Sequence, residues 1–391
     1  MVSAIWRLNL ASMLFFTFIQ LVVPLIPRYA LVIGATPFLI GLATSSISIT
    51  AIFFRPLCGV LSDRTSRSFL MLLGLILGAV AYSILFLSNS VNMIIMARLL
   101  EGIAIAAFVP SSIASAVDQA PPGKLGETLG WRSLMIGIGF MLGPAMGGFI
   151  SQFAGYTTTF GIAAVLLLVL APFVFVKESP RTPPPKTSSR GLKERDFLLA
   201  LTGLIIYGVA WMGLLTFLSA WLKLLGYGDL EIGLFVSVQA LSSLALRVWA
   251  GKWADRQPAL LTCVGLLVVS FAFTLVYVFL VPPLLYLAAV VFGLGVGAYI
   301  PGSQTLALSK APPHSRGLLS SVYTMGMDVG NLIGPIAFGL IIQTTGNYRD
   351  VFALAPLIAF AAAMVVLVPT MRARRSKKGM AGASLRRETI D

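Results

Sequence analysis

The stretch RPLCGVLSDR, residues 55–64, closes one apolar run, and RVWAGKWADR, residues 247–256, closes another much later in the chain. Both fit the pattern R-x-x-x-G-x-x-x-D-R. An arginine, a glycine and an Asp-Arg pair therefore recur at one spacing and at one position relative to an apolar run. This recurrence indicates a chain built from two copies of the same unit.

The sequence around these motifs is too apolar for a soluble protein. Of its 391 residues, 58% are hydrophobic and 11% are charged, whereas a soluble domain carries about 25% charged residues. Twelve apolar runs have the length of a membrane span. They occupy residues 5–27, 38–60, 69–88, 90–117, 128–151, 155–177, 197–222, 231–253, 259–281, 284–308, 317–342 and 350–371. Continuous runs predict helices rather than barrel strands, so we expect an all-α protein with twelve transmembrane helices.

A polar segment divides the twelve runs into six and six. KESPRTPPPKTSSRGLKERD, residues 177–196, is rich in Pro, Ser and charged residues, as loops are. The predicted domains are a six-helix bundle at 1–177, a cytoplasmic linker at 178–196, a second six-helix bundle at 197–371 and a basic cytoplasmic tail at 372–391.

The repeat extends well beyond the two arginine motifs. Residues 101–122 align with 292–313, both ending in Ala-Pro-Pro, and GFMLGPAMGG at 139–148 aligns with GNLIGPIAFG at 330–339. Parallel six-span repeats, related by a pseudo-twofold axis along the membrane normal, are a transporter architecture. We therefore expect two related bundles.

The basic residues indicate how the chain is oriented. With loops alternating between the two sides, one side holds only Arg28, Lys223 and Arg349, and nearly all other loop and tail lysines and arginines fall on the opposite side. Such a bias marks the cytoplasmic side. We predict a multi-pass protein of the cell membrane with both termini in the cytoplasm. The net charge of +14 then reflects topology rather than a nucleic-acid partner.

Three motifs carry a family resemblance. GVLSDRTSRS after the second run contains Gly59, Asp63, Arg64 and Arg67 of the pattern G-x-x-x-D-R-x-G-R-R/K, with serine at positions 66 and 68. RLLEG in the fourth run matches R-x-x-Q-G except at Glu101. The fifth run matches G-x8-G-x3-G-P-x2-G-G completely. Over essentially its whole length, the chain resembles the major facilitator superfamily. There the last motif marks drug/proton antiporters, so the resemblance implies export.

Only two of the fourteen acids lie deep in apolar runs, Glu101 and Asp328. A carboxylate there is costly unless it is protonated, paired or hydrated. Arg98 lies one turn from Glu101 on the same helix face. We predict that Asp328 carries the coupling proton and that Glu101 with Arg98 forms a linked switch. The alternatives for Asp328 are contact with a cationic substrate and a structural bond to Arg132 or Arg247.

The repeated motif predicts a gate. Two interpretations would explain its charged residues. They form a latch between the bundles on the cytoplasmic side, or they cap helix ends and hold the loop on the cytoplasmic side as a topology signal. The charged residues are Asp63, Arg64, Arg67, Asp255 and Arg256. Arg55 and Arg247 lie two turns, about 12 Å, inside their motif aspartates. Each could be paired structurally, take part in the gate or in coupling, or bind an anionic group.

The glycine-rich fifth run and its repeat predict close helix packing or a hinge, because glycine permits close approach and proline kinks a helix. The residues concerned are Gly130, Gly139, Gly143, Pro144, Gly147, Gly148, Gly334 and Pro335. Polar or aromatic candidates for a central cavity are Asn9, Gln20, Tyr207, Trp211, Gln239, Gln304, Tyr323 and Asn331.

These features predict a secondary active transporter that works by alternating access, with proton-coupled export of a small organic molecule as the leading function. Proton-coupled uptake of a small metabolite or organic anion is the alternative, and a non-transporting membrane receptor or scaffold is a third. No nucleophile, metal or phosphate-binding motif suggests an enzyme or an ATP-driven pump. We expect a monomer without cofactor that contacts its substrate and the lipid bilayer.

Overall fold

The computed structural model of the protein describes residues 2–121, 124–175, 191–279, 281, 284–309 and 316–388. Most of the predicted linker lies outside these residues. Within them the chain forms α-helices, one short 3-10 helix at Val23–Leu25 and no β-strand. The helices are α1 Val2–Val22, α2 Ile26–Val32, α3 Pro37–Arg64, α4 Arg67–Phe86, α5 Val91–Gln119, α6 Leu125–Ala154, α7 Tyr156–Val169, α8 Ala171–Val174, α9 Arg195–Leu224, α10 Asp229–Arg256, α11 Pro258–Val278, α12 Leu284–Leu308, α13 Arg316–Thr345 and α14 Tyr348–Glu388.

These helices account for the twelve predicted spans. In the described part of the chain, eleven helical segments are long and apolar enough to cross a membrane, and α7 is a shorter apolar helix. The first span comprises α1, the 3-10 turn and α2; the sixth comprises α7 and α8; each remaining span is a single helix. The predicted twelve-helix, all-α fold is confirmed, whereas the exact domain boundaries stay a prediction.

Prolines explain where the spans differ from the sequence expectation. Pro24 and Pro27 lack the N–H that a continuous helix needs, and the first span passes through a 3-10 turn before α2 continues it to Val32. Arg28 therefore lies inside a helix, and its predicted place in a loop is wrong. The sixth span is interrupted at Leu170, and Pro172 lies in the first turn of α8, which begins at Ala171.

The internal repeat is visible in the contacts between the halves. Helix α3 of one half packs against α13 of the other, and α10 packs against α6. A Cβ atom at Gly41 would lie 2.1 Å from the carbonyl oxygen of Pro335, and one at Gly233 would lie 2.3 Å from that of Pro144. The close approach of a glycine in one half to a proline carbonyl in the other half therefore occurs twice, with the roles of the halves exchanged. A pseudo-twofold axis requires this.

The same exchange occurs where α3 and α10 begin. A Cβ at Gly339 would lie 2.5 Å from the carbonyl oxygen of Pro37, and one at Gly148 would lie 2.4 Å from that of Asp229. We call this side of the molecule the Pro37 end and the opposite side, where α3 finishes, the Arg64 end. The two halves pack backbone against backbone at the Pro37 end.

Packing is different at the Arg64 end. Gly59 and Gly251, the corresponding motif glycines of α3 and α10, have no atom within 4 Å of the place where a Cβ would stand. Within the described part of the chain, nothing packs against these faces of the two helices. The halves are closed on each other at the Pro37 end and diverge towards the Arg64 end.

The fifth-run glycines mostly pack as predicted. Gly139, Gly143 and Gly147 lie along α6 at intervals of four residues, and a Cβ at each would lie 2.1 to 2.7 Å from a carbonyl oxygen of α1. Gly334 makes an equivalent approach to α9, where a Cβ would lie 2.3 Å from a carbonyl oxygen. Gly130 is the exception. It has open space around its Cβ position, because it lies about two and a half turns before Gly139 and therefore on the opposite face of α6.

Gly41→Ala is expected to separate the halves at the Pro37 end without lowering the stability of the fold, because its methyl group would clash only when that end is closed. Gly147→Ala, within one half, should instead lower the thermal unfolding temperature. Spin-label distances between Leu87 and Asn347, both exposed at the Pro37 end, measure the separation. Gly59→Ala is the control and should change neither property.

An equal drop in unfolding temperature for Gly41→Ala and Gly147→Ala, with unchanged label distances for both, would contradict this assignment. It would mean that the glycine contact between the halves persists in every conformation.

Candidate functional site

A cavity of about 360 Å³ lies between the two halves. Most of its wall is apolar, with Phe16, Phe140, Trp211 and Met327 among the large side chains. A few longer polar and charged side chains also reach it. They are Gln20, Arg55, Arg98, Gln239, Asp328 and Asn331. A mostly apolar chamber with a few placed polar groups is typical of a binding site for a small molecule.

Asp328 is the acid of this cavity, and its partner comes from the other half of the molecule. Nη2 of Arg55, on α3, lies 3.2 Å from Oδ1 and 3.1 Å from Oδ2 of Asp328, on α13. The side chains are 21% and 13% exposed, so they remain in reach of the cavity. The alternative bonds from Asp328 to Arg132 or Arg247 are wrong. Arg132 donates to the hydroxyl of Ser112 instead.

Glu101 has a different environment, although it too is paired. Nη1 of Arg98 donates to Oε2 of Glu101 at 2.6 Å, and the hydroxyl of Tyr82 donates to Oε1 at 2.9 Å. Both charged side chains are fully buried. Arg98 contributes to the cavity wall, while Glu101 is not among the lining residues. The expected one-turn pair exists, but its carboxylate lies behind the wall.

The predicted cavity candidates divide into two groups. Gln20, Trp211, Gln239 and Asn331 line the main cavity, and Tyr207 lines a smaller cavity of about 210 Å³ that adjoins it. Small hydroxyl side chains also line the main cavity and were not foreseen, because serine and threonine are common on every face of a span. They are Thr44, Ser48, Thr216 and Ser219.

Three candidates lie elsewhere, and their assignment to the cavity is wrong. Asn9 is 1% exposed and lines neither cavity. Gln304 is exposed. Tyr323 is buried and donates a hydrogen bond to the hydroxyl of Ser303 at 2.8 Å. A span has packed, lipid-facing and cavity-facing sides, and residue type alone does not tell them apart.

Among the side chains that the structure describes, the motif charges at the Arg64 end form no ion pair between the halves. Arg67 pairs with Asp118, on α5 of its own half. Arg64, Asp255 and Arg256 are exposed, and no ion pair joins them to another residue of the described part. The side chain of Asp63 lies outside the described residues. The latch therefore stays a prediction. Arg55 and Arg247 line the main and the smaller cavity, respectively.

A charged cluster at the Pro37 end links the two halves. Nη1 of Arg28, on α2, lies 2.9 Å from Oδ1 of Asp229 and donates to the backbone carbonyl of Asp229 at 3.0 Å. Tyr156, on α7, donates to the same Oδ1 at 2.8 Å, and Nζ of Lys223 lies 3.1 Å from Oδ2. Arg28 is 0% and Asp229 5% exposed in their side chains. We call these four residues the Pro37-end cluster.

The sequence alone does not reveal this cluster, because its charges lie near the ends of apolar runs. It predicts loop positions for Arg28 and Lys223, and it does not place Asp229 among the acids deep in apolar runs. One signal was available: the apolar sequence resumes after Arg28 with Tyr-Ala-Leu-Val-Ile. A basic residue that is followed by a further turn of apolar residues is expected to be buried with a partner.

Comparison with known proteins agrees with this architecture. The family model of the Major Facilitator Superfamily matches residues 8–327 and 264–387. The chain is 30% identical over 389 residues to the multi-drug resistance efflux pump PmrA of Streptococcus pneumoniae, with 91% of this chain and 94% of that protein covered. It is 25% identical over 351 residues to multidrug resistance protein 1 of Bacillus subtilis, with 87% and 90% covered.

Among solved structures, the chain resembles a bacterial homolog of the human lysosomal transporter Spinster, crystallised in an inward-facing and occupied conformation. The TM-score is 0.81 at 17% sequence identity, with 95% of this chain and 97% of that chain covered. Fold, internal repeat and family model agree. The chain is a multi-pass membrane transporter, not an enzyme, and it belongs to the Major Facilitator Superfamily.

Proposed function

We propose that this protein exports small, largely apolar organic molecules across the cell membrane in exchange for protons. The observation that carries the proposal is Asp328, a carboxylate that lines the central cavity and is paired across the two halves with Arg55. The titratable carboxylate of Asp328 therefore lies both in the wall of the substrate cavity and at the interface between the two halves, which move relative to each other during transport. The similarity to multidrug efflux pumps supports export.

The cavity wall indicates the kind of substrate. Phe16, Phe140 and Trp211 provide aromatic surface, and the amides of Gln239 and Asn331 provide hydrogen bonds. Its volume of about 360 Å³ falls near the lower end of the range for small-molecule sites. An aromatic molecule with few polar groups fits such a wall better than a sugar or another strongly hydrated solute.

The distribution of basic residues assigns the Arg64 end to the cytoplasm. Both termini then lie in the cytoplasm, and the halves are arranged in a cytoplasm-open state with the Pro37 end closed. Alternating access requires a second state in which the Pro37 end opens and the Arg64 end closes. The predicted latch around Asp63 and Asp255 belongs to that second state.

Proton exchange follows from the pairing of Asp328. Burial disfavours the ionised carboxylate, and the opposite charge of Arg55 offsets part of this cost. In the proposed cycle, the ionised pair is the state that has released its proton to the cytoplasm. Protonation removes the negative charge and weakens the link between α3 and α13, so the relative population of the two states shifts. Arg98, which lines the cavity, and Glu101, which lies behind its wall, act as a linked switch that responds to this change.

The proposal requires one copy of the chain, a substrate and the bilayer. Both halves of the cavity come from a single chain, so a monomer suffices. A proton gradient supplies the energy, and the proposal involves no cofactor or nucleic acid.

Transport by purified protein in proteoliposomes tests the proposal. The membrane potential is clamped with potassium and valinomycin, and the panel of aromatic dyes includes both cationic and carboxylate-bearing members. An acidic interior should drive dye accumulation, because antiport exchanges internal protons for external dye, and nigericin should abolish it. Accumulation that instead requires an acidic exterior would establish symport, and no dependence on the pH gradient for any transported dye would exclude proton coupling.

A further inference from the structure

The smaller cavity contains an arginine that none of the described residues neutralises. Arg247, on α10, lines this space of about 210 Å³ together with Gly137, Tyr207 and Ser243. Phe140, Trp211 and Gln239 line both this cavity and the main one. The two chambers therefore adjoin, and one ligand could occupy both.

The internal repeat explains why this arginine is unpaired. Arg247 occupies the position in α10 that Arg55 occupies in α3. The residue that corresponds to Asp328 in the other half is Gly137, and Gly137 and Arg247 line the same cavity. The arrangement of Arg55 and Asp328 across the halves is thus repeated, but without the carboxylate. A cavity stands where the second acid would be expected.

The surroundings of Arg247 offer it no substitute for that carboxylate. Among the described residues, none forms an ion pair with Arg247, and its Nε has no hydrogen-bond partner. The hydroxyl of Ser243 and Nε1 of Trp211, which also line the cavity, have no partner either. An uncompensated arginine within a span is costly. A guanidinium group binds a planar carboxylate through two parallel hydrogen bonds.

We propose that Arg247 is an anion subsite that binds the carboxylate of an aromatic substrate, whose apolar body lies in the main cavity. Tyr207 and Trp211 stack nearly parallel, 5.8 Å apart at 8°, and provide a flat wall beside the guanidinium group. The route by which a substrate reaches this site rests on the proposed function, but the binding itself does not. The subsite narrows the substrate class to molecules with an aromatic body and one acidic group.

Ligand binding to the purified full-length protein in detergent tests the subsite without any gradient. The probes are 1-naphthoate and the uncharged 1-naphthamide, measured by titration calorimetry. Wild type should bind naphthoate more tightly than naphthamide. Arg247→Gln should weaken naphthoate binding about tenfold or more, as expected for the loss of a charge-assisted pair, and should change naphthamide binding little.

A second variant keeps Arg247 and supplies the missing acid. Gly137→Asp should form the internal pair and abolish the preference for naphthoate, whereas Gly137→Ala should retain it. A Cβ at Gly137 would lie 2.8 Å from Cδ1 of Leu244, the end of a flexible side chain that can move. The alanine variant therefore controls for the volume that a side chain at position 137 takes from the cavity.

Equal binding of the two probes by wild type, or naphthoate binding that survives both Arg247→Gln and Gly137→Asp, would overturn the proposal. If acetate and chloride compete for the site as well as naphthoate does, the subsite holds a small inorganic or aliphatic anion and the aromatic-carboxylate assignment fails. Failure of the proposed function would appear separately, as an absent pH-gradient response in proteoliposomes while naphthoate still binds.

Discussion

Asp328→Asn is expected to abolish transport driven by a pH gradient and to leave substrate binding and substrate exchange largely intact. An asparagine can still accept a hydrogen bond from Arg55 through its side-chain oxygen, but it can neither bind nor release a proton. The size of the cavity hardly changes, because the two side chains are nearly isosteric. The variant therefore separates proton coupling from recognition of the substrate.

Two proteoliposome assays on one preparation measure this effect. Concentrative uptake under an imposed pH gradient should be lost, whereas exchange of labelled for unlabelled substrate without a gradient should continue. Asn331→Ala is the matched control, since it removes another polar side chain of the same cavity and helix but no titratable group. It should alter substrate affinity and preserve coupling.

Concentrative transport by Asp328→Asn at the wild-type level would contradict the assignment. Glu101 would then be the next candidate, tested by Glu101→Gln. Its position behind the cavity wall, held by Arg98 and Tyr82, makes direct proton exchange with the substrate chamber harder. A proton could reach it only if the wall opens during the transport cycle.

The sequence predicted those parts of the molecule that depend on local composition and on the repeat. Continuous apolar runs correspond to helices because backbone polar groups in lipid must be satisfied within the helix. The pairing of Arg98 with Glu101 followed from their three-residue spacing, because residues one turn apart share a helix face. The close packing of α6 through Gly139, Gly143 and Gly147 also followed from spacing, because glycines four residues apart lie on one helix face.

Contacts between the halves could not be predicted in this manner. The partner of Asp328 is Arg55, which lies in the other half of the chain. The repeat gave no guide to this pair, because the position equivalent to Asp328 is a glycine. The number of polar residues in a span likewise does not show which side faces the cavity. Gln20 and Asn331 line it, whereas Asn9 and Gln304 do not.

Asp229→Asn is expected to open the Pro37 end and shift the protein towards the state that faces away from the cytoplasm. The carboxylate of Asp229 accepts from Arg28 and Tyr156 of one half and pairs with Lys223 of its own half. Removing its charge leaves Arg28, which is fully buried, without its counter-charge. The cluster can form only while the Pro37 end is closed, so its loss acts on that state alone.

The expected shift is large. Breaking a buried ion pair by removing one partner costs about 3 to 5 kcal/mol. A shift of this size changes the ratio of the two states by about a hundredfold or more, because each 1.4 kcal/mol is about tenfold. Transport should slow as well, since the variant would return to the cytoplasm-open state less often.

Spin-label distances at both ends of the molecule measure the shift. Labels at Leu87 and Asn347 report on the Pro37 end, and labels at Lys124 and Gln257 report on the Arg64 end; all four residues are exposed. The native Cys58 and Cys263 are buried and free, and serine or alanine replaces them in the labelled protein. Asp229→Asn should lengthen the first distance and shorten the second.

Glu231→Gln is the matched control for this prediction. Glu231 is an exposed acid two residues further along the same helix, and its side chain accepts from the backbone N–H of Gly228 in its own half. Loss of its charge should leave both distances unchanged. Unchanged distances in a folded Asp229→Asn protein would show that the glycine contacts at Gly41, Gly148 and Gly233 close the Pro37 end without help from the charges. The Pro37-end cluster would then merely neutralise a buried arginine.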